Sequence, residues 1–242
     1  MSLLSYNDLC RLLEDDVMMN GKIEHVNSAS IDIQLGKIIL VERNDSTLYK
    51  QGKLKRVILK EKQKLDMVEW NLETEGPYAM YPGEFILAHS VEIFNLPNNI
   101  SAEYKLKSSM ARVGLDHLNA GWCDAGWHGS VLTLELKNCS RNHEIILQSE
   151  DLIGQVIFFS HEEVPEGKDY SVRGSYNGDT SVTGAKKKAR GIIFGDRQED
   201  ATQEEFNKNH ILEEGIVEAP RRTIDISEVR NIIDEGRYPD GF

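Results

Sequence analysis

The residues best suited to chemistry crowd into one stretch, K-S-S-M-A-R-V-G-L-D-H-L-N-A-G-W-C-D-A-G-W-H-G-S-V-L-T-L-E-L-K-N, residues 107 to 138. Near its end Glu135 sits between Leu134 and Leu136 in a run that alternates like a β-strand. Leu132, Leu134 and Leu136 point one way, and Val131, Thr133 and Glu135 the other. With the leucines on the core, Glu135 faces a cavity or a neighbouring subunit. A carboxylate in such a half-dry place gains proton affinity and can serve as general base and acid. The strand pattern also allows a plain exposed glutamate or one paired with an arginine.

Upstream, Ser108 and Ser109 follow the basic strand Y-K-L-K and precede M-A-R-V-G-L, which has the length of one helical turn. A helix start there aims N–H groups and two hydroxyls at an anion, or simply caps the turn. Lys105, Lys107 and Arg112 fall within eight residues and make the local charge positive. Arg112 can clamp a phosphate, hold the Glu135 carboxylate, or make a surface ion pair. D-A-G-W-H-G predicts a tight hairpin turn into the Glu135 strand. Asp124 either caps that turn or accepts a hydrogen bond from a ligand hydroxyl. His117 and His128 tempt a metal reading, but neither H-x-E with P-C-x-x-C nor H-E-x-x-H occurs. Trp122 and Trp127 read as packing or interface residues.

Those groups need elements to hold them. Ser5 as N-cap with Asp8 at N3 opens a helix whose stripe is Leu9, Leu12, Leu13 and Val17, with Leu4 and Leu9 at staple positions and Gly21 as the stop. Short strands follow. S-A-S-I-D-I-Q-L-G puts Ile31, Ile33 and Leu35 on one side and Asp32 and Gln34 on the other. Then come K-I-I-L-V, L-K-R-V-I-L-K, E-F-I-L-A-H-S-V-E-I-F, S-V-L-T-L-E-L, H-E-I-I-L-Q and L-I-G-Q-V-I-F-F, with turn signals at Tyr81 to Glu84 and Leu96 to Asn99. Many short strands at close spacing predict an all-β barrel or jelly roll. From about residue 165 the pattern fades. Residues 191 to 242 hold 13 acidic and 6 basic residues, and I-S-E-V-R-N-I-I-D-E-G within them has the spacing of a short amphipathic helix.

The 242 residues carry a net charge of −12, a poor footprint for binding a nucleic-acid polymer. No apolar run approaches the roughly 18 residues that span a bilayer, and the first residues lack a basic-then-apolar signal. A cytoplasmic protein without membrane contact is expected. Three cysteines, Cys10, Cys123 and Cys139, with no C-x-x-C, argue against disulfides and structural zinc.

K-S-S-M-A-R-V-G-L, A-G-W-C-D-A-G-W-H-G-S-V-L-T-L-E-L-K-N and L-I-G-Q-V-I-F-F, supported by V-N-S-A-S-I-D-I-Q-L-G and Y-P-G-E-F-I-L-A, resemble the dCTP deaminase family of the trimeric dUTPase superfamily over about residues 1 to 185. The resemblance implies a mainly β, dUTPase-like distorted jelly roll or β-barrel with a short N-terminal helix and a C-terminal extension. It divides the chain into a core (1–165), a lid over the triphosphate (166–190) and an acidic extension (191–242). It further implies a homotrimer with sites built between subunits. The implied reaction is hydrolysis of dCTP to dUTP and ammonia, with Mg2+ on the triphosphate and no zinc.

By the same resemblance, Glu135 activates the attacking water, Ser108 and Arg112 surround the reacting carbon, and the Ala120 backbone helps hold the water. Lys107 and Ser109 contact phosphates, Asp124 receives the deoxyribose, and Thr133 and Leu134 lie on the pyrimidine-facing strand. Tyr170, Tyr176 and Asp179 belong to the lid. A-G-W-C-D is closer to bifunctional deaminases that carry dUTP on to dUMP than to monofunctional ones. The lid departs from the family's K-Y-x-x-Q, with Ser175 and Asp179 in place of lysine and glutamine. An aspartate near phosphates needs compensation from magnesium or Lys186. The family also suggests dTTP as an inhibitor. A dUTPase, or a non-catalytic nucleotide-binding regulator on the same scaffold, are the alternatives.

Overall fold

Local chemistry starts the chain as the sequence predicts. The computed structural model describes residues 2–42, 57, 65–165 and 167–186. The first helix spans Tyr6–Glu14, and the Asp8 carboxylate reaches back 3.4 Å to the Ser5 amide. Leu9 and Leu12 are buried, and Leu4, Leu13 and Val17 pack on the same core. The helix stops well before Gly21. Asp16 takes a left-handed φ of 54°, its N–H bonds the Leu13 carbonyl, and the Val17 N–H bonds that of Leu12. This closes a Schellman motif with aspartate where glycine is usual, and it frees the following residues for strand pairing.

The strands are β1 (Ser2–Leu3), β2 (Met18–Met19), β3 (Ile31–Gln34), β4 (Ile38–Glu42), β5 (Met67–Asn71), β6 (Tyr78–Met80), β7 (Phe85–Asn95), β8 (Ile100–Leu106), β9 (Leu115–His117), β10 (Trp122–Cys123), β11 (His128–Asn138), β12 (Ile145–Leu147) and β13 (Leu152–Ser160). A five-stranded sheet runs β1-β13-β8-β10 with β3 also on β13. A six-stranded sheet runs β5-β4-β7-β11-β9 with β2 also on β7, and β12 pairs with β6. The expected mainly β, jelly-roll-like class is met. Among the described residues the sheets are open layers and no barrel closes. The predicted strand at 54–60 and the helix at 226–236 lie outside the described residues, apart from Val57.

One apolar core joins both sheets. Ile86, Ala88, Leu134 and Leu136 come from the six-stranded one and Ala102, Tyr104, Val156 and Phe158 from the five-stranded one. The polar side of β3 is buried as well. Asp32 pairs with Lys107 and takes a 2.9 Å hydrogen bond from Asn27, and the Gln34 amide donates to the Glu150 carbonyl at 3.0 Å. Tyr81 to Glu84 forms the predicted turn, with Gly83 at φ 81° and the Glu84 N–H on the Tyr81 carbonyl.

D-A-G-W-H-G does form a turn, closed by the Trp127 N–H on the Asp124 carbonyl with Gly126 at φ 83°. It is not a hairpin. β10 pairs with β8, whereas β11 pairs with β7 and β9, so the turn hands the chain from one sheet to the other. The Gly126 N–H is held by the Leu96 and Pro97 carbonyls, and a Cβ there would lie 2.9 Å from Asp169.

Candidate functional site

β11 carries the site because its two faces are sorted by the alternation seen in the sequence. Leu132, Leu134 and Leu136 are buried, and Thr133 and Glu135 line a cavity of about 760 Å³. A register irregularity opposite Ser90 to Glu92 lets Val131 and Leu132 both border that cavity. Across the sheet Glu135 lies opposite Leu87, and Leu87 opposite Leu40. With Phe85, Leu65 and Met67 these form an apolar wall beside the carboxylate. That wall is absent from the sequence-based site. The E-F-I-L-A alternation, which sets Phe85 and Leu87 on one face, was the signal for it.

The Glu135 side chain is 25% exposed. Its Oε2 lies 3.2 Å from His117 Nε2, but neither atom completes a directed hydrogen bond among the described residues. The distance suits a bond and the ring N–H is not aimed along it. The His117 imidazole in turn meets the Tyr104 ring edge-on, with centroids 4.6 Å apart. Burial, with the nearby Glu135 charge adding to it, raises the pKa of the Tyr104 phenol. His117 was weighed in the sequence only as a metal ligand. Its place beside Glu135 follows from β9 register, where it lies opposite Leu136.

Ala120, Asp124, Thr133, Tyr170, Tyr176 and Asp179 border the same cavity as Glu135. Asp124 accepts a 2.8 Å hydrogen bond from the Trp122 indole. Cys123 also lines the cavity, and burial, followed by the Asp124 charge, pushes its thiol up to about 12, which suppresses a thiolate at neutral pH. Leu134 is the exception on this strand. Its side chain is fully buried in the core and it does not line the cavity, because the strand alternation turns it to the opposite face from Thr133 and Glu135.

The residues expected to form a lid are tied to the start of β11. The Ser130 hydroxyl donates to the Tyr176 carbonyl at 2.7 Å, and the Val131 N–H donates to that of Asp179 at 2.8 Å. The Trp127 indole adds a 3.2 Å bond to the Tyr176 carbonyl. Asp179 is compensated locally: Lys186 forms an ion pair with it, and the Thr183 hydroxyl donates at 3.0 Å. The Lys186 ammonium also stands 5.3 Å above the Tyr176 ring.

The serine-arginine segment lies elsewhere. Ser108–Arg112 is a five-residue helix with Lys107 at its N-cap, and Lys107, Ser108, Ser109 and Arg112 do not line the cavity of their own chain. Lys107 pairs with Asp32 and Lys105 with Glu103. Arg112 is exposed, touches Ser108 Oγ at 3.4 Å and makes no ion pair among the described residues.

Among the described residues no group of three His, Cys, Asp or Glu side chains is arranged to hold a metal ion, and no helix is long and apolar enough to cross a membrane.

A family model described as dCTP deaminase-like matches residues 3–161. The dUMP-forming dCTP deaminase of Nanoarchaeum equitans is 34% identical over 166 residues, 62% of this chain and 78% of the relative. That of Corynebacterium efficiens is 32% identical over 165 residues, 66% of this chain and 80% of the relative. Among solved structures, the 2′-deoxycytidine 5′-triphosphate deaminase of Agrobacterium tumefaciens aligns with a TM-score of 0.49 at 22% identity, covering 66% of this chain and 48% of that one. With the family model matched over well more than half its length, the chain belongs to the dCTP deaminase-like family.

Proposed function

We propose that the protein hydrolyses dCTP to dUTP and ammonia, and then dUTP to dUMP and diphosphate. The observation that carries this reading is the placement of Glu135 on the cavity side of β11, half-dry and beside an apolar wall. In the first reaction Glu135 takes a proton from water while the water oxygen bonds to C4 of cytosine. Glu135 passes that proton to N3, then takes the proton of the new C4 hydroxyl and gives it to the amine nitrogen. The C4–N bond then breaks, ammonia leaves and a carbonyl remains at C4. The Ala120 backbone helps hold the water, Asp124 receives the deoxyribose, and the backbone at Thr133 borders the pyrimidine. In the second reaction Asp124 positions the water that attacks dUTP and releases diphosphate. The names of the relatives, dUMP-forming dCTP deaminases, support both steps.

The site is completed by a second protomer. Glu135 borders the cavity of its own chain, whereas Lys107, Ser108, Ser109 and Arg112 do not. In a homotrimer of the family's kind these would come from the adjacent copy, Ser108 and Arg112 at the reacting carbon, Lys107 and Ser109 at the phosphates. Tyr170, Tyr176 and Asp179 belong to a lid over the triphosphate that follows the nucleotide-binding core.

Mg2+ carried by the substrate's triphosphate would neutralise phosphate charge. The Asp179 carboxylate, already paired with Lys186, would leave the ion to the phosphate oxygens.

Chromatography of the products of dCTP tests the reading. Ammonia and dUMP are expected from the native chain. Ammonia with dUTP accumulating would remove the second reaction. Turnover of dUTP with dCTP untouched would mark a dUTPase, and tight binding without turnover a regulator.

A further inference from the structure

A column of four residues runs from one sheet into the other and ends on the Glu135 carboxylate. Gly154 on β13 and Tyr104 on β8 belong to the five-stranded sheet, and His117 on β9 and Glu135 on β11 to the six-stranded one. The column is tight at its base. A Cβ at position 154 would come within 2.0 Å of the Tyr104 ring, so only glycine leaves the ring its place. The ring then meets the imidazole at an interplanar angle of 62°, an edge contact that fixes its tilt. At the top, His117 Nε2 lies 3.2 Å from Glu135 Oε2.

Three polar atoms in this column lack a hydrogen-bond partner among the described residues: Tyr104 Oη, His117 Nε2 and Glu135 Oε2. Buried polar atoms are normally satisfied, and three unmet ones along one column, two of them 3.2 Å apart, mark a place where folding stability has been given up. Contacts at empty catalytic sites are often loose and tighten once substrate is bound. Such a looseness is what a pair poised to close would show. Packing alone would be served as well by leucine at position 117, which brings no unmet nitrogen.

We propose that His117 is a positioning residue, which holds the Glu135 carboxylate facing the cavity through Nε2, with Tyr104 seated on Gly154 as the wedge that aims the imidazole. This rests on the reading of Glu135 as the base. His117 Nε2 must carry the proton in this arrangement, and the carboxylate accepts it. The geometry thus gives Glu135 one orientation towards C4, with water on its other oxygen.

The test compares His117→Gln, which keeps an N–H donor, with His117→Leu, which keeps only volume. The expected result for His117→Leu is a kcat for dCTP about 10- to 100-fold lower with KM within about threefold, the signature of a misplaced base. His117→Gln is expected to recover a large part of that loss. Equal kcat in both variants, or a change confined to KM, would overturn the proposal.

A crystal structure of His117→Leu gives a readout independent of turnover. The Glu135 carboxylate is expected to leave its cavity-facing position or to split between rotamers. An unmoved, single carboxylate would overturn the proposal. Should the native chain leave dCTP untouched, the deaminase reading fails and this crystal structure alone decides whether His117 orients Glu135.

Discussion

Two glutamates on neighbouring strands of the same sheet, Glu92 on β7 and Glu135 on β11, meet opposite fates. Glu92 is fully buried and both its oxygens accept from the Gln34 N–H at 3.1 and 3.2 Å. Burial raises its pKa to about 7, only partly opposed by backbone hydrogen bonds and the Lys22 charge. Glu135 keeps a quarter of its side chain open on a cavity and has one oxygen unmet. The comparison separates burial from access. A buried carboxylate sealed from ligand is a structural element with a pH-dependent cost. A less buried one, open to a cavity and bordered by an apolar wall and a histidine, has what a base needs.

The largest effect that sharpens this contrast is on turnover. Glu135→Gln is expected to lower kcat for dCTP by about 10²- to 10⁴-fold, the range for losing a general base, with melting temperature and assembly kept. Glu92→Gln is expected to retain native turnover at pH 6.5. If the two variants lost activity alike, the distinction would fail.

Stability inverts the order. Glu92 has a folded pKa above its unfolded one, so protonation favours the fold. The stability this provides is present below about pH 4.5 and lost as pH rises through about 7. At pH 8 the native chain therefore carries a cost of up to about 3 kcal/mol that Glu92→Gln removes, with little difference at pH 4.5. Denaturant melts of both proteins at the two pH values read this directly. A variant less stable than native at pH 8 would contradict it.

The Asp179–Lys186 pair gives a smaller effect. Lys186→Met leaves the Asp179 charge beside the proposed phosphate site, and KM for dCTP is expected to rise about tenfold. Adding Asp179→Asn to it is expected to bring KM back towards the native value. Steady-state kinetics of the single and double variants check this, and equal KM values throughout would remove Asp179 from the site.

Much of this was legible in the sequence where local pattern decides. Alternation alone placed Leu132, Leu134 and Leu136 in the core and Glu135 on the other face, and Ser5 with Asp8 marked the first helix. What escaped depends on contacts distant in sequence. The helix ends early because Asp16 adopts a left-handed conformation in a Schellman motif that glycine was expected to supply later. Asp32 and Gln34 look like a solvent-facing pair until Lys107 and the Glu150 carbonyl, far along the chain, come to cover them. D-A-G-W-H-G has hairpin composition, but only sheet membership reveals a crossing between layers. His117 carries no motif, and its proximity to Glu135 is a product of β9–β11 register. The serine-arginine segment was legible as chemistry and illegible as position, because nothing local says which chain's cavity it serves.

Refolding of mixed variants decides which chain's cavity Arg112 serves. Glu135→Gln and Arg112→Ala proteins, each expected to be inactive alone, are unfolded together at equal amounts, refolded and assayed for ammonia release from dCTP. If each site draws Glu135 from one protomer and Arg112 from the next, random assembly restores about a quarter of native activity, since a cyclic interface pairs different faces of two copies. Recovery of no activity from the mixed, refolded assembly would contradict a site shared between protomers.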